Sequence, residues 1–171
     1  MQMVKKILIS LVVILFSLAI FAPKRELYYL LEEQLMREDI IIHNEAIEGG
    51  LFTLTLKHPE LYFKGIRVAK IQEIKLFSLL FYTSVAAKEI KIDDSLSRFM
   101  PTQIDEVSAL FQLLEPKRVM LNVLGDFGYA QGYLSLDESK IHLDLIEEKS
   151  IKSLKPMLKK GEKGWYYETS F

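Results

Sequence analysis

The chain has 171 residues, with 22 basic and 23 acidic side chains, a net charge of −1 and no cysteine. Charges this evenly balanced and interspersed supply no field for nucleic acid, and the missing cysteines exclude disulfides and thiolate metal sites. Hydrophobic residues make up 50% of the chain, more than its apolar N-terminal run accounts for.

That run extends without a charged residue from Ile7 to Ala22, between Lys5-Lys6 and Pro23-Lys24-Arg25. As a helix it would reach roughly 24 Å at about 1.5 Å per residue, short of a hydrocarbon core of roughly 30 Å, so Met3, Val4 and snorkelling lysines would have to help it cross. The expectation is a retained anchor over residues 1–23, carried by Ile7, Leu11, Val12, Leu15, Leu18 and Ala22, with the chain beyond Pro23 outside the cytoplasm. Signal cleavage is the alternative. Ser17-Leu18-Ala19 offers the small residues a cut after Ala19 needs, yet that cut would leave the apolar Ile20-Phe21-Ala22 at the new end. The roughly 150 residues that follow suit one domain, 24–171.

Pro23 fits the first turn of a second helix, where its missing N–H costs nothing. Leu27, Leu30, Leu31 and Leu35 then share one helical face and Glu26, Glu32, Glu33 and Arg37 the other, predicting an amphipathic helix over 24–38 that caps a sheet or rests on lipid. From Ile40 the period changes to that of strands. Gly49-Gly50 marks a turn, and Phe52, Leu54 and Leu56 alternate with Thr53, Thr55 and Lys57 as in a half-buried strand. Pro59 and Gly65 punctuate further extended pieces that lead through Ile74 and Leu76 to Leu79-Leu80-Phe81-Tyr82 and to a strand over Ala87–Ile92. Thr102 and Asp105 resemble a capping pair, and Ile104, Val107, Leu110, Phe111 and Leu114 keep helical spacing, predicting a middle helix over 102–115. A meander follows: Val119, Leu121 and Val123 alternate, Gly125-Asp126 turns, 130–136 runs extended, and Ile141, Leu143 and Leu145 alternate again. A short helix over 151–159, interrupted by Pro156, precedes an amphipathic edge strand over 164–169. The expected class is α+β: an N-terminal transmembrane helix, then an antiparallel, twisted β-sheet with a few amphipathic helices packed on it.

Little in the sequence announces chemistry. His43, His58 and His142 show no two-ligand spacing, so no metal site is expected. Asp93-Asp94 and Glu147-Glu148 sit at strand ends, and adjacent strand residues point to opposite faces, which does not bring two carboxylates together for acid–base work. Gly125, Gly128 and Gly132 match no phosphate-binding fingerprint and are read as hairpin glycines. No nucleophile elbow surrounds a serine. An enzyme, a cofactor and a nucleic-acid partner are not expected.

The apolar excess has two readings. Helices 24–38 and 102–115 cover the sheet, or part of its face stays open as a groove lined by Phe52, Leu54, Leu56, Val119, Leu121, Val123, Leu134, Leu136, Leu143 and Leu145.

The apolar N-terminal run, the Pro23-Lys24-Arg25-Glu26-Leu27 entry to a leucine-rich helix, the stretch from Gly65-Ile66-Arg67-Val68 to Ile74-Lys75-Leu76, and Gly125-Asp126-Phe127-Gly128-Tyr129-Ala130-Gln131-Gly132 with Leu134 and Leu136 together resemble the type II secretion protein N family, which is similar in turn to AsmA-like envelope proteins. The resemblance implies a single-pass inner-membrane protein with a periplasmic β-rich domain, associated with secretion or with lipid transfer. It carries no catalytic residues. The chain is shorter than usual for that family, and a middle helix departs from it. The function expected first is a non-enzymatic interaction module of an envelope machine with protein partners. The second is a lipid-binding or lipid-transfer domain whose groove holds membrane lipid.

Overall fold

The computed structural model describes residues 24–43, 45–79, 81–96, 101–151, 154–161 and 164–170. They form one helix, α1 (Lys24–Arg37), and a single twelve-stranded antiparallel sheet. Its strands are β1 (Ile40–His43), β2 (Ala46–Gly49), β3 (Thr53–Lys57), β4 (Glu60–Phe63), β5 (Ile66–Leu79), β6 (Tyr82–Ile92), β7 (Gln103–Gln112), β8 (Arg118–Gly125), β9 (Gly128–Ser135), β10 (Lys140–Glu148), β11 (Lys159–Gly161) and β12 (Gly164–Ser170). The 14-residue β5 is the longest. Both β3 and β4 pair with it, one along each half, and β6 to β10 follow as a meander before β12 and β11 close the order.

Register turns local alternation into a two-sided sheet. Partners in an antiparallel ladder point to the same face. One row therefore runs Leu54, Leu76, Val85, Ala109, Leu121, Gly132, Leu143, Tyr167 across eight strands. A parallel row on the same face runs Leu56, Ile74, Ala87, Val107, Val123, Ala130, Leu145. On the opposite face the corresponding row is Thr55, Lys75, Ala86, Ser108, Asn122, Gln131, Asp144, Tyr166. One side is apolar over nearly its whole width, and the other is mainly polar, with Phe77, Leu110 and Met120 interrupting it in the next row.

Two clusters cover the ends of the apolar side. At one, Tyr28 of α1 is buried with Leu54 and Leu56 against Ile42, Ile47, Ile74 and Leu76. At the other, Ile151, Leu154 and Leu158 close over Phe127, Ala130, Leu145 and Trp165.

A crease crosses the first half of the sheet. His58 has φ 56° between β3 and β4, its N–H donates to the Gln72 carbonyl at 2.9 Å, and Gln72 and Glu89, the latter with φ 50°, fall in the gap of the β5–β6 ladder between the pairs Ile71–Ile90 and Glu73–Lys88. In the next strand, β7 carries a bulge between Ile104 and Glu106. Non-glycine residues in the left-handed region and bulges both bend a strand, and here they fall in line. Gly132 serves the second half, because a Cβ there would lie 1.9 Å from the His142 carbonyl oxygen.

Several expectations are corrected. The described residues are not α+β with packed helices: they are mostly antiparallel strand, with one short helix. The middle helix over 102–115 is β7. Its bulge at Asp105 inserts one residue, so Ile104 and Val107, three apart, both reach the apolar side, where Ile104 packs beside Val123. That mimics helical spacing. The helix over 151–159 is a 3₁₀ turn, Lys155–Met157, with Pro156 in its first turn, followed by β11. The strand over 164–169 lies between β10 and β11 and so is not the edge. Gly125 and Gly128 flank a two-residue hairpin, whereas Gly132 lies in mid-strand. The proposed span, with Ile7, Leu11, Val12, Leu15, Leu18 and Ala22, lies outside the described residues. Among the described residues no helix is long and apolar enough to cross a membrane, so single-pass inner-membrane anchoring has no support in the structure.

Gly132→Val is expected to lower the urea midpoint with an unchanged m-value, at a cost on the order of 1–3 kcal/mol from overpacking against backbone. Glu89→Gly is expected to raise the same midpoint, for a stability gain of about 1 kcal/mol, because glycine removes the left-handed penalty.

Candidate functional site: the apolar side of the sheet

Between the two covered ends, Val85, Ala87, Val107, Ala109, Phe111, Val119, Leu121, Leu134 and Leu143 are half-buried and belong to neither buried cluster. Their exposure has a simple cause. Among the described elements α1 is the only helix of any length, it packs beside β1, and the other main contacts run between neighbouring strands. A strand residue flanked by two partners loses its sides to them but keeps its top in water unless a second layer arrives.

Of the candidate groove residues, Leu54, Leu56, Val119, Leu121, Val123, Leu134, Leu143 and Leu145 all fall on this side through the register. Leu54 and Leu56 lie under Tyr28, and Leu145 lies in the other covered end. Phe52 and Leu136 do not join the rows. Phe52 precedes β3 and its carbonyl accepts from the Ser78 N–H, while Leu136 is an exposed turn residue. Sequence reasoning missed Val85, Ala87, Val107, Ala109 and Phe111, because the small alanines and a helical reading of 102–115 hid the period of two.

The polar side holds the titratable groups. His142 of β10 stands 3.2 Å from Glu168 through Nδ1 and 3.2 Å from Asp144 through Nε2. Its ring lies between Tyr133 at 5.6 Å and Tyr166 at 5.3 Å. Lys140 Nζ reaches Glu168 at 2.8 Å and Lys159 Nζ at 3.5 Å. The hydrogen bond from Lys140, then that from His142, holds the Glu168 carboxyl down to about 2. The same contact with Glu168 raises the Lys140 ammonium above its ordinary value. These groups meet because they are cross-strand neighbours, His142 facing Tyr133 on one side and Glu168 on the other. The arrangement ties the last strands together.

The crease opens a polar cleft of ≈ 280 Å³ lined by His58, Glu60, Lys70, Ile71, Gln72, Glu89 and Lys91. Lys70 bridges to Glu60 at 2.9 Å there, and the Tyr62 hydroxyl donates to the same carboxylate at 3.0 Å. Both contacts hold Glu60 below the usual carboxylate range. Asp93 is held low by the Ser95 backbone N–H, the Ser95 hydroxyl and Arg67, so it caps a turn. Among the described residues no group of three or more His, Asp or Glu side chains is placed to hold a metal ion. His43 instead meets the Tyr62 ring edge-on at 5.7 Å.

No known family, curated protein or solved structure matches this chain.

Glu168 supplies a pH dependence. Its ordinary value is 4.5 and its folded value about 2, so the stability it contributes is complete above the first and lost as pH falls through the second. Urea unfolding from neutral to strongly acid pH is expected to show Glu168→Gln less stable than the parent at neutral pH, with the two curves converging in the acid range between those values.

Proposed function

We propose that the protein is a non-enzymatic lipid-binding module that lays acyl chains along the apolar side of its sheet. The single observation that carries this reading is the run of apolar rows across eight strands whose side chains, between two covered ends, keep partial access to water. Exposed apolar surface of this extent on a folded chain marks a binding surface. Its form favours an elongated, flexible, apolar ligand: the rows present methyl and methylene groups with no convergent polar set to orient a compact substrate. A polar headgroup would extend past the covered region into water. The resemblance to AsmA-like envelope proteins points the same way. An interaction module whose protein partner covers the same side is the second reading, and the test separates them.

The chain has one tryptophan, Trp165, in the covered end of the apolar side. Tyr167 and Tyr166 are adjacent in β12 and fall on the apolar and polar rows respectively. Two variants of the full chain, Trp165→Phe with Tyr167→Trp and Trp165→Phe with Tyr166→Trp, each carry a lone indole on one face. Brominated oleate is expected to quench the indole at 167 several-fold more strongly than that at 166. Equal quenching, or none, would sink the reading and leave the protein-partner alternative.

A further inference from the structure

The hairpins of the sheet do not end alike. At one end lie the turns joining β5 to β6, β7 to β8 and β9 to β10, brought side by side by the meander. Backbone hydrogen bonds stitch them together: Leu113 N–H donates to the Phe81 carbonyl at 2.9 Å, and Leu136 N–H to the Lys117 carbonyl at 2.8 Å. Their tips carry large apolar side chains in water, with Leu114 89% exposed, Phe81 54%, Leu113 50% and Leu136 49%. Turn tips are ordinarily polar, and a row of adjacent apolar tips has no folding role to explain it.

At the opposite end Asp93, Asp94, Asp126, Glu147 and Glu148 outnumber Lys64, Arg67 and Lys149, with Arg67 bridging to Asp93 at 3.2 Å, and the exposed apolar residues are scattered, Phe63 and Ile66 at the β4–β5 corner, Leu124 in β8 and Ile146 in β10. The apolar tips are themselves charge-balanced, since Glu115, Asp137 and Glu138 are matched by Lys117, Arg118 and Lys140. Lys117 bridges to Asp137 at 3.2 Å, and Arg118 lies 5.1 Å over the Tyr133 ring.

From these observations we infer that the tips at Phe81, Leu113, Leu114 and Leu136 insert into the surface of a lipid bilayer, with the sheet standing on its hairpin end. A bilayer is the occupant that fits. The tips project into water from three successive turns, Leu114 most of all, and lipid closes around projecting side chains without shape complementarity. Their balanced charges need no acidic or basic partner, and zwitterionic headgroups suffice. Lys117 and Arg118, directly behind the leucine tip, can keep their cations at headgroup level while their stems lie in the interface. The acidic end then points away from the membrane. The inference extends the lipid-binding reading: Phe111, Val119, Leu134 and Ile141 form the apolar row nearest these tips, so an inserted edge would open directly onto the proposed acyl-chain surface.

The absence of cysteine makes the test direct. The full chain carrying Leu114→Cys, labelled with an environment-sensitive nitrobenzoxadiazole dye, is mixed with phosphatidylcholine vesicles. Lys149→Cys, at the far end of the sheet, is the matched control. The expected result is a blue shift and several-fold brighter emission at 114, quenched by lipids bearing a spin label in the acyl chain, with no change at 149. A label at 114 that stays in water while the chain floats with the vesicles, or a chain that does not bind them, overturns the inference. A shift that needs no vesicles and grows with protein concentration also overturns it, because the tips would then meet a second copy of the chain. Because the dye reads only its own surroundings, an apolar segment elsewhere in the chain cannot produce the result. Indole quenching on the sheet with a dry tip label would defeat this inference alone. A lipid-immersed tip label with no quenching at 167 would defeat only the acyl-chain reading.

Discussion

The fold depends on antiparallel register held across many strands. Alternation in one strand only sorts its side chains into two sets. Which set shares a face with the neighbour's apolar set is decided by pairing, and a slip of one residue would reverse it. Here the pairing keeps Leu54 with Leu76, Leu76 with Val85, and so on through Leu143 and Tyr167, so each strand's apolar residues find the next strand's. The polar side gains its own reinforcement from the same register. Lys57 meets Glu48 at 2.9 Å, and Lys140 and His142 meet Glu168. Exposed pairs of this kind contribute little singly, but they disfavour misregistered sheets.

Devices that break regularity shape this sheet locally. His58 and Glu89 in left-handed conformations, with the bulge at Asp105, put a crease across neighbouring strands, and backbones approach too closely for a Cβ at Gly128 and Gly132. The covered ends are different in kind. At one, burial and the Glu45 carboxylate push the Tyr28 hydroxyl up from its ordinary value, and that hydroxyl donates to Glu45 at 2.9 Å, so the helix is fastened by a polar contact as well as by packing. At the other, Ile151, Leu154 and Leu158, the last two flanking the 3₁₀ turn Lys155–Met157, lie over the sheet. The side chains between them keep partial access to water, and that partial access carries the functional reading.

A sheet with one apolar and one polar side is an incomplete sandwich, and something has to offset the cost of its exposed face. Acyl chains laid on that face would act as the second layer. The hairpin end fits the same economy of contacts, since its exposed leucines and phenylalanine adjoin the apolar rows and lie remote from the acidic end. The sheet would then receive its ligand along the strands and not through a closed cavity.

Read alone, the residues specify the alternating strands over Thr53–Lys57 and from Arg118 to Glu148 and most of the apolar residues that the face uses. Local periodicity sets those, because a strand's two faces are written in its own residues. It misplaced 102–115, where a single bulge put Ile104 and Val107 on one side and made a strand look helical. It also missed that Phe81, Leu113, Leu114 and Leu136 gather at one end. Both depend on the assembled sheet, since bulges and register are set by neighbours distant in sequence. Whether an apolar side chain lies under a second layer, beside another strand or in water depends on which neighbours arrive, and no window of local sequence contains them.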